Sequence, residues 1–436
     1  MKKMKFFMIA SLALLMLGFV MIPEADAQTR PQDFRGRLAV WSFTDEVNKM
    51  INDYFRRAYR NVEFNYTQIP TEEFTTRLDA AFSAGTGLPD VIVLESAFVR
   101  KYIESGQLLD ITDIYEANRN KLLAYPVEVG THNGRVYGMS WQACPGAMFY
   151  RRSLAKKYLG TEEPAMVQSY FSNMTRFLET AKLIQEKSGG NSIIIPGFWE
   201  LFRPFLGMRS SPWIVNGQLN IDPAMEQFMD VAKTMTDNGW TTGVSQWSPE
   251  WFAGMKGELK EWDGNSHLGT GKPYETFAYF LPSWGLHYVL KTNTPGTSGD
   301  WAMIAGPVPY QWGGTWLAIP RNSPNAALAK EFIRYLTTDD GFLERWARDT
   351  GDIVGNVVVQ EKIRTNIRDR FLGNQNHYML LSEVSRNING KLIQANDELI
   401  DAAFSDAVNG YLWNGKSKTQ ALADFRAEVN AKLGLR

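Results

Sequence analysis

Apolar positions along the amino-terminal half of this chain change period at regular intervals. RLAVW (Arg37 to Trp41) is a short apolar run with strand character. The next segment, DEVNKMINDYFRRAYRN, sets Val47, Ile51, Tyr54, Phe55 and Ala58 on one helical face. VEFNY then alternates Val62, Phe64 and Tyr66, the two-residue repeat of a strand. Thr71 caps a helix whose first turn carries Glu72 and Glu73, where carboxylates suit the helix dipole, with Phe74, Leu78, Ala81 and Phe82 as its apolar stripe. GTGLP interrupts it, and DVIVL is continuously apolar, as in a strand covered on both faces. Alternating strands and helices predict an α/β fold with a parallel-type sheet and helices on both sides.

Farther along, helical periodicity holds from Ser153 to Gly189 and from Pro223 to Gly239. WAMIAGPV and TWLAIP return to strand character. Ser323-Pro324 opens a helix with proline at its first position, and the closing SKTQALADFRAEVNAKLG aligns Leu422, Phe425, Val429 and Leu433. At 436 residues the chain exceeds the size at which one core keeps growing, so two domains are expected.

Charge and targeting narrow the classes. Residues 1–27 combine three lysines, an apolar run and Ala25-Asp26-Ala27, the pattern of a cleaved secretory signal. The net charge of −1 offers no basic field to nucleic acid or an anionic membrane. Cys144 is the single cysteine, so no intramolecular disulfide can form, and none stands at the cleavage point to carry a lipid anchor. The expected location is the periplasm. His132, His267, His287 and His377 have no metal-ligand spacing, and neither a metal nor a cofactor is expected.

In sheets of this type ligands bind beyond the carboxyl ends of the strands. The residues leaving the first and third strands, Thr44, Asp45 and Glu46, then Glu95 and Ser96, are therefore site candidates, with helix capping as the alternative for each. Two other signals carry less. GYLWNGKS (Gly410 to Ser417) fits the phosphate-loop expression, yet it follows a helical period and holds Tyr411, Leu412 and Trp413 where small residues are needed, so a turn between helices is expected. Glu258, Glu261 and Asp263 are close in sequence, but nothing fixes the separation of about 5–10 Å that glycoside hydrolysis requires. With no G-x-S-x-G or Cys/His nucleophile pattern, no enzymatic activity is expected.

Four segments together resemble family 1 extracellular solute-binding proteins of ABC importers, the group that includes maltose-binding protein: GTGLPDVIVLESAFVRKYIESGQLLDITDI, GRVYGMSWQACPGAMFYRRSL, WGGTWLAIPRNSPNAALAKEFIRYLTTDDG and the closing helix. They occur in the family's order and span most of the chain. Ser140 replaces the family's usual proline, and Trp199 to Lys291 follows no family segment closely. The resemblance implies two hinged α/β lobes around a ligand cleft: residues 28–139 with 307–336, and 140–306 with 337–436. It also implies a monomer that delivers a small-molecule solute to permease subunits.

On that frame QWGGTWLAIP crosses back into the first lobe beside the cleft. Glycine lets backbone approach a ligand, and an indole adds a flat apolar wall with one donor. A pyranose, with C–H faces and a rim of hydroxyls, matches that pairing, which points to a carbohydrate. Trp312, Gly313 and Gly314 are thus the leading site residues, with Trp284, which resembles a family position that lines the cleft. Trp141, Trp199, Glu200, Trp316 and Asp352 complete the candidates; core packing is the alternative for Trp316, and helix-end capping for the segment holding Asp352. Trp240, Trp247, Trp251, Trp262, Trp301, Trp346 and Trp413 are assigned to packing. A cationic solute caged by Trp199-Glu200, or an organophosphate held by Arg203 or Arg209, is the alternative cargo, and a secreted glycoside hydrolase the remaining one.

Overall fold

The computed structural model describes residues 30–257 and 275–435. The signal at 1–27 and residues Glu258, Glu261, Trp262, Asp263 and His267 lie outside the described residues. Eight strands build the two main sheets: β1 (Gly36–Ser42), β2 (Val62–Gln68), β3 (Val91–Glu95), β4 (Gly138–Met139), β5 (Gly146–Arg151), β6 (Ala278–Pro282), β7 (Trp301–Ile304) and β8 (Thr315–Ala318).

The first sheet has the order β2-β1-β3-β8-β4. Its β1 runs parallel to both β2 and β3, with Val40 opposite Tyr66 and Val91. The continuous apolar run of β3 is explained by burial on both faces, Val91 to Leu94 having no exposed surface. The expected parallel arrangement stops there: β8 is antiparallel to both β3 and β4, because it enters the sheet from the far end after the chain has left it. The second sheet, β6-β5-β7, is wholly antiparallel, with Phe149 opposite Tyr279 and Met303. The fold class remains α/β.

Helices form where the 3.6-residue period holds. The predicted segment after β1 is helical from Glu46 to Ala58, with a π-helical turn over Ile51–Phe55, and it buries Val47, Met50, Ile51 and Phe55. Phe55 stacks on Tyr59 and packs edge-on against Phe332 of the helix Ala326–Thr338. A second apolar cluster joins the helices Met174–Ser188, Pro223–Asp237, Asp397–Trp413 and Lys418–Leu433. The phosphate-loop look-alike falls partly inside this group. Gly410 to Trp413 belong to the helix Asp397–Trp413, so their N–H groups point along a helix rather than around an anion, and Gly415 turns at φ +70° toward the next one. Among the described residues, no helix is long and apolar enough to cross a membrane.

Strand direction positions the site. β3 ends at Glu95, and because β8 runs the opposite way, Thr315 sits opposite Glu95 in the ladder. Gly313 and Gly314 therefore precede β8 at the very edge where β1 and β3 finish, and the Ser96 N–H donates to the Gly314 carbonyl at 3.0 Å. The Trp312 N–H donates to the Cys144 carbonyl at 3.1 Å, tying this strand entry to the chain leaving β4.

Candidate functional site

A recess of about 370 Å³ opens at that edge, lined by Phe43, Thr44, Asp45, Glu46, Lys49, Glu95, Gln142, Trp284, Tyr288, Gly313, Gly314 and Thr315. The size lies within the range of about 300–1,000 Å³ usual for small-molecule sites. A second recess of about 340 Å³ shares Glu95 and Gly313 with it and adds Ser96, Trp312, Arg203 and Asp397 among its walls. The fold thus gathers Thr44, Asp45, Glu46, Glu95, Trp284, Gly313 and Gly314 in one hollow, with Ser96 and Trp312 in the adjoining one.

Three indoles form a cluster at this place. Trp247 stacks on Trp284, ring centres 6.3 Å apart and planes 9° from parallel. Trp312 stands edge-on to both, at 5.8 and 6.1 Å. The indole N–H of Trp284 donates to the Trp312 carbonyl at 3.1 Å, which fixes its plane. This geometry accounts for the glycines beside the tryptophans. Gly313 adopts φ +82°, and a Cβ there would stand 2.8 Å from Trp284 Nε1; Gly314 adopts φ +126°, and its Cβ would meet the Trp316 ring at 2.9 Å. Each glycine lets the backbone run directly against an indole, in a conformation that L side chains resist.

Trp247 packs on Trp251, Phe252, Trp284 and Trp312, as its assignment to packing expects, but its ring is not enclosed. It is 45% exposed at φ +68°. Ser248 caps the helix Pro249–Lys256 by accepting from the Trp251 N–H, so Trp247 occupies the position before the cap and packs on Phe252, 6.4 Å between centres. That is the geometry of a hydrophobic staple, and the Ser-Pro start was the available signal. Tyr288, 57% exposed, was also missed; it lies one helical turn beyond Trp284 and shares its face.

Four candidates are corrected inward. Trp141 and Trp316 are fully buried; the Trp316 N–H donates to the Pro126 carbonyl at 2.8 Å and the Trp141 N–H to Asp352 at 3.2 Å. Strand alternation turns Trp316 away from the recess, while Thr315 faces it. Trp199 packs among Phe198, Phe202 and Phe228. Glu200 is 1% exposed and accepts from Trp251 Nε1 at 2.7 Å, Gln246 Nε2 at 3.0 Å and the Phe280 N–H at 2.8 Å. It anchors the loop carrying Trp247 from beneath. Burial pushes its pKa up to about 7, against those three hydrogen bonds. A Trp199-Glu200 cage is therefore not formed.

The acids of the recess differ in kind. Asp45 precedes the helix at Glu46 without making a side-chain cap bond; it pairs with Lys49 at 3.4 Å. Glu95 accepts from the Ser96 hydroxyl and the Ala97 N–H, both at 2.7 Å. Glu46 accepts from the Tyr288 hydroxyl at 3.1 Å, and burial raises its pKa. Asp352 lies deeper, accepting from Trp346 Nε1 at 3.0 Å as well as from Trp141. Burial, followed by the Glu46 charge, lifts it to about 8. Three carboxylates against Lys49 make the recess a poor host for a phosphate. Arg209 is largely held by the fold: it lies 5.0 Å from the Trp213 ring and donates to the Leu206 and Leu392 carbonyls, with only its Nη1 left without a partner.

Residues 49–365 match the family model described as bacterial extracellular solute-binding protein. Over 166 residues the chain is 24% identical to the lactose-binding protein of Rhizobium radiobacter; the alignment spans 36% of this chain and 37% of that protein. Among solved structures, a family 1 extracellular solute-binding protein superimposes with a TM-score of 0.78 at 18% identity, covering 91% of this chain and 99% of the other. The binding protein from B. animalis subsp. lactis Bl-04, in complex with β-1,6-galactobiose, does so with a TM-score of 0.69 at 20% identity, covering 92% and 98%. At such identities the likeness to solved structures establishes the fold.

Proposed function

Since this chain belongs to the bacterial extracellular solute-binding proteins, we propose that it captures a carbohydrate, a mono- or oligosaccharide, and delivers it to an ABC importer. The observation that carries this is the indole cluster Trp247, Trp284 and Trp312 beside the bare backbone at Gly313-Gly314, with Glu46 and Glu95 in reach of the same hollow. An indole face covers the C–H face of a sugar ring, and carboxylates accept from its hydroxyls in charge-assisted bonds. Relatives whose names specify lactose and arabinooligosaccharides add support. In this reading the lobes comprise residues 28–139 with 307–336 and 140–306 with 337–436, Tyr288 and Glu46 meet across them, and the solute favours the closed state through contacts made better there. The protein acts outside the cytoplasm as a monomer, handing solute to permease subunits.

The excess of carboxylates over Lys49 beside aromatic faces supports a second reading, a cationic solute. Titrating the purified protein with neutral mono- and oligosaccharides, and with amines and quaternary ammonium compounds, while following tryptophan fluorescence separates the two. Saturable quenching or enhancement by a neutral sugar, lost in Trp284→Ala, is the expected result. A response to cations alone would transfer the assignment to the second reading.

A further inference from the structure

We propose that His287, Asp369 and His377 form a binding site for a divalent transition-metal ion of the zinc class, set behind the helical segment that carries Trp284 and Tyr288. The proposal is independent of the identity of the solute. His287 is remote in sequence from Asp369 and His377, yet one ligating atom of each lies within 4.8 Å of the other two. His377 is 2% exposed, and neither of its ring nitrogens has a hydrogen-bond partner; His287 Nε2 has none either. Buried imidazole nitrogens left unpaired are costly, and a cation coordinated by them removes that cost.

Local structure builds the arrangement. The Asp369 N–H donates to the Gln375 carbonyl at 3.1 Å, closing a tight turn, and Asn376 then caps the helix His377–Ser385. The turn thereby holds Asp369 and His377 on the same side. His287 comes from the helical segment Leu286–Lys291 and sets its Nε2–Cε1 edge against Gly351, where a Cβ would stand 2.6 Å from Nε2. Its Nδ1 edge faces Lys291.

The donor set suits a metal of that class. Two imidazoles and one carboxylate are ligands of the zinc class rather than of calcium or magnesium, which take oxygen sets. One cation already occupies this ground: Lys291 Nζ is 2.5 Å from Asp369 Oδ2 and 3.4 Å from His287 Nδ1. Its side chain is 31% exposed, so the ammonium can swing to water when a metal enters. A bound ion would cross-link the segment beneath Trp284 and Tyr288 to the turn at Asp369.

The test uses the mature chain without an affinity tag, stripped with a chelator and titrated with zinc by calorimetry and with cobalt by visible absorbance. One equivalent is expected to bind. His287→Gln and His377→Gln should each weaken binding by about tenfold or more, while Lys291→Met should tighten it by removing the competing ammonium. Circular dichroism and solute binding check that each variant is folded. No zinc saturation below about 1 mM, or histidine variants that bind zinc like the wild type, would overturn the site. If the histidine variants do not fold, Lys291→Met decides: tighter binding supports the proposal, and unchanged or weaker binding refutes it.

Discussion

Gly313→Ala isolates the reason for setting glycine beside tryptophan. At φ +82° an alanine enters the left-handed region, a cost of about 1–2 kcal/mol. Its methyl group would also stand 2.8 Å from Trp284 Nε1, against ordinary contact near 3.4–4 Å, so the indole must move by several tenths of an ångström. That shift breaks the 3.1 Å bond from Trp284 Nε1 to the Trp312 carbonyl, worth about 1 kcal/mol. The variant should therefore lose about 2–3 kcal/mol of stability and, with its wall displaced, bind solute more weakly. The two costs separate in a cycle with Trp284→Ala. Without the indole the clash and the hydrogen bond vanish together, and the penalty of Gly313→Ala should fall to the conformational part, about 1–2 kcal/mol. Urea unfolding of the wild type, both single variants and the double variant measures this. A penalty below about 0.5 kcal/mol in the wild type, or the same penalty in both backgrounds, would refute the reasoning.

Trp247→Ala should cost only about 1–2 kcal/mol of stability through its lost ring contacts but weaken solute binding by about 70-fold, taking about 100 Å² of lost contact at about 25 cal/mol per Å²; titration calorimetry reads it. Trp316→Ala should do the reverse, costing about 3–5 kcal/mol of stability while the folded fraction binds normally. Glu200→Ala should weaken binding without touching solute, because Gln246 and Trp251 lose the carboxylate that holds the Trp247 loop; unchanged affinity in a folded variant would remove that role. Asp352 and Glu200 both bind their protons more tightly when folded, at about 8 and about 7 against ordinary values of 3.8 and 4.5. Their contribution to stability is full below the unfolded values and declines as pH rises through the folded ones. Urea midpoints should accordingly fall from pH 4 toward pH 8, and Asp352→Asn should flatten much of that slope; an unaltered slope counts against it.

Local periodicity was enough to place β1, β2 and β3 and the helices after the first two, since each repeats its burial pattern over several residues. It also located the strand ends that deliver Thr44, Asp45, Glu46 and Glu95, because the ends of parallel strands fall on one edge. The Trp-Gly-Gly pattern drew attention to a stretch that the fold sets at the recess edge. Other facts depended on which surfaces the packed chain covers. Trp316 and Trp312 differ by four residues and share an environment in sequence, yet the turn through Gly313 and Gly314 at positive φ separates them, so that the strand buries one ring and the other stays at the recess. Trp247 and Trp199 differ in exposure, since the cap at Ser248 leaves the first ring partly exposed while Phe198, Phe202 and Phe228 enclose the second. Glu200 became an internal anchor because a carboxylate removed from water must find donors, and Gln246, Trp251 and Phe280 supply them from segments distant in sequence. The same long-range folding set His287 beside His377. Sequence alone determined the elements and the edge of the sheet, which depend on near neighbours; tertiary structure decided which indoles, acids and imidazoles face one another, because such encounters depend on closure of long chain segments far beyond one element.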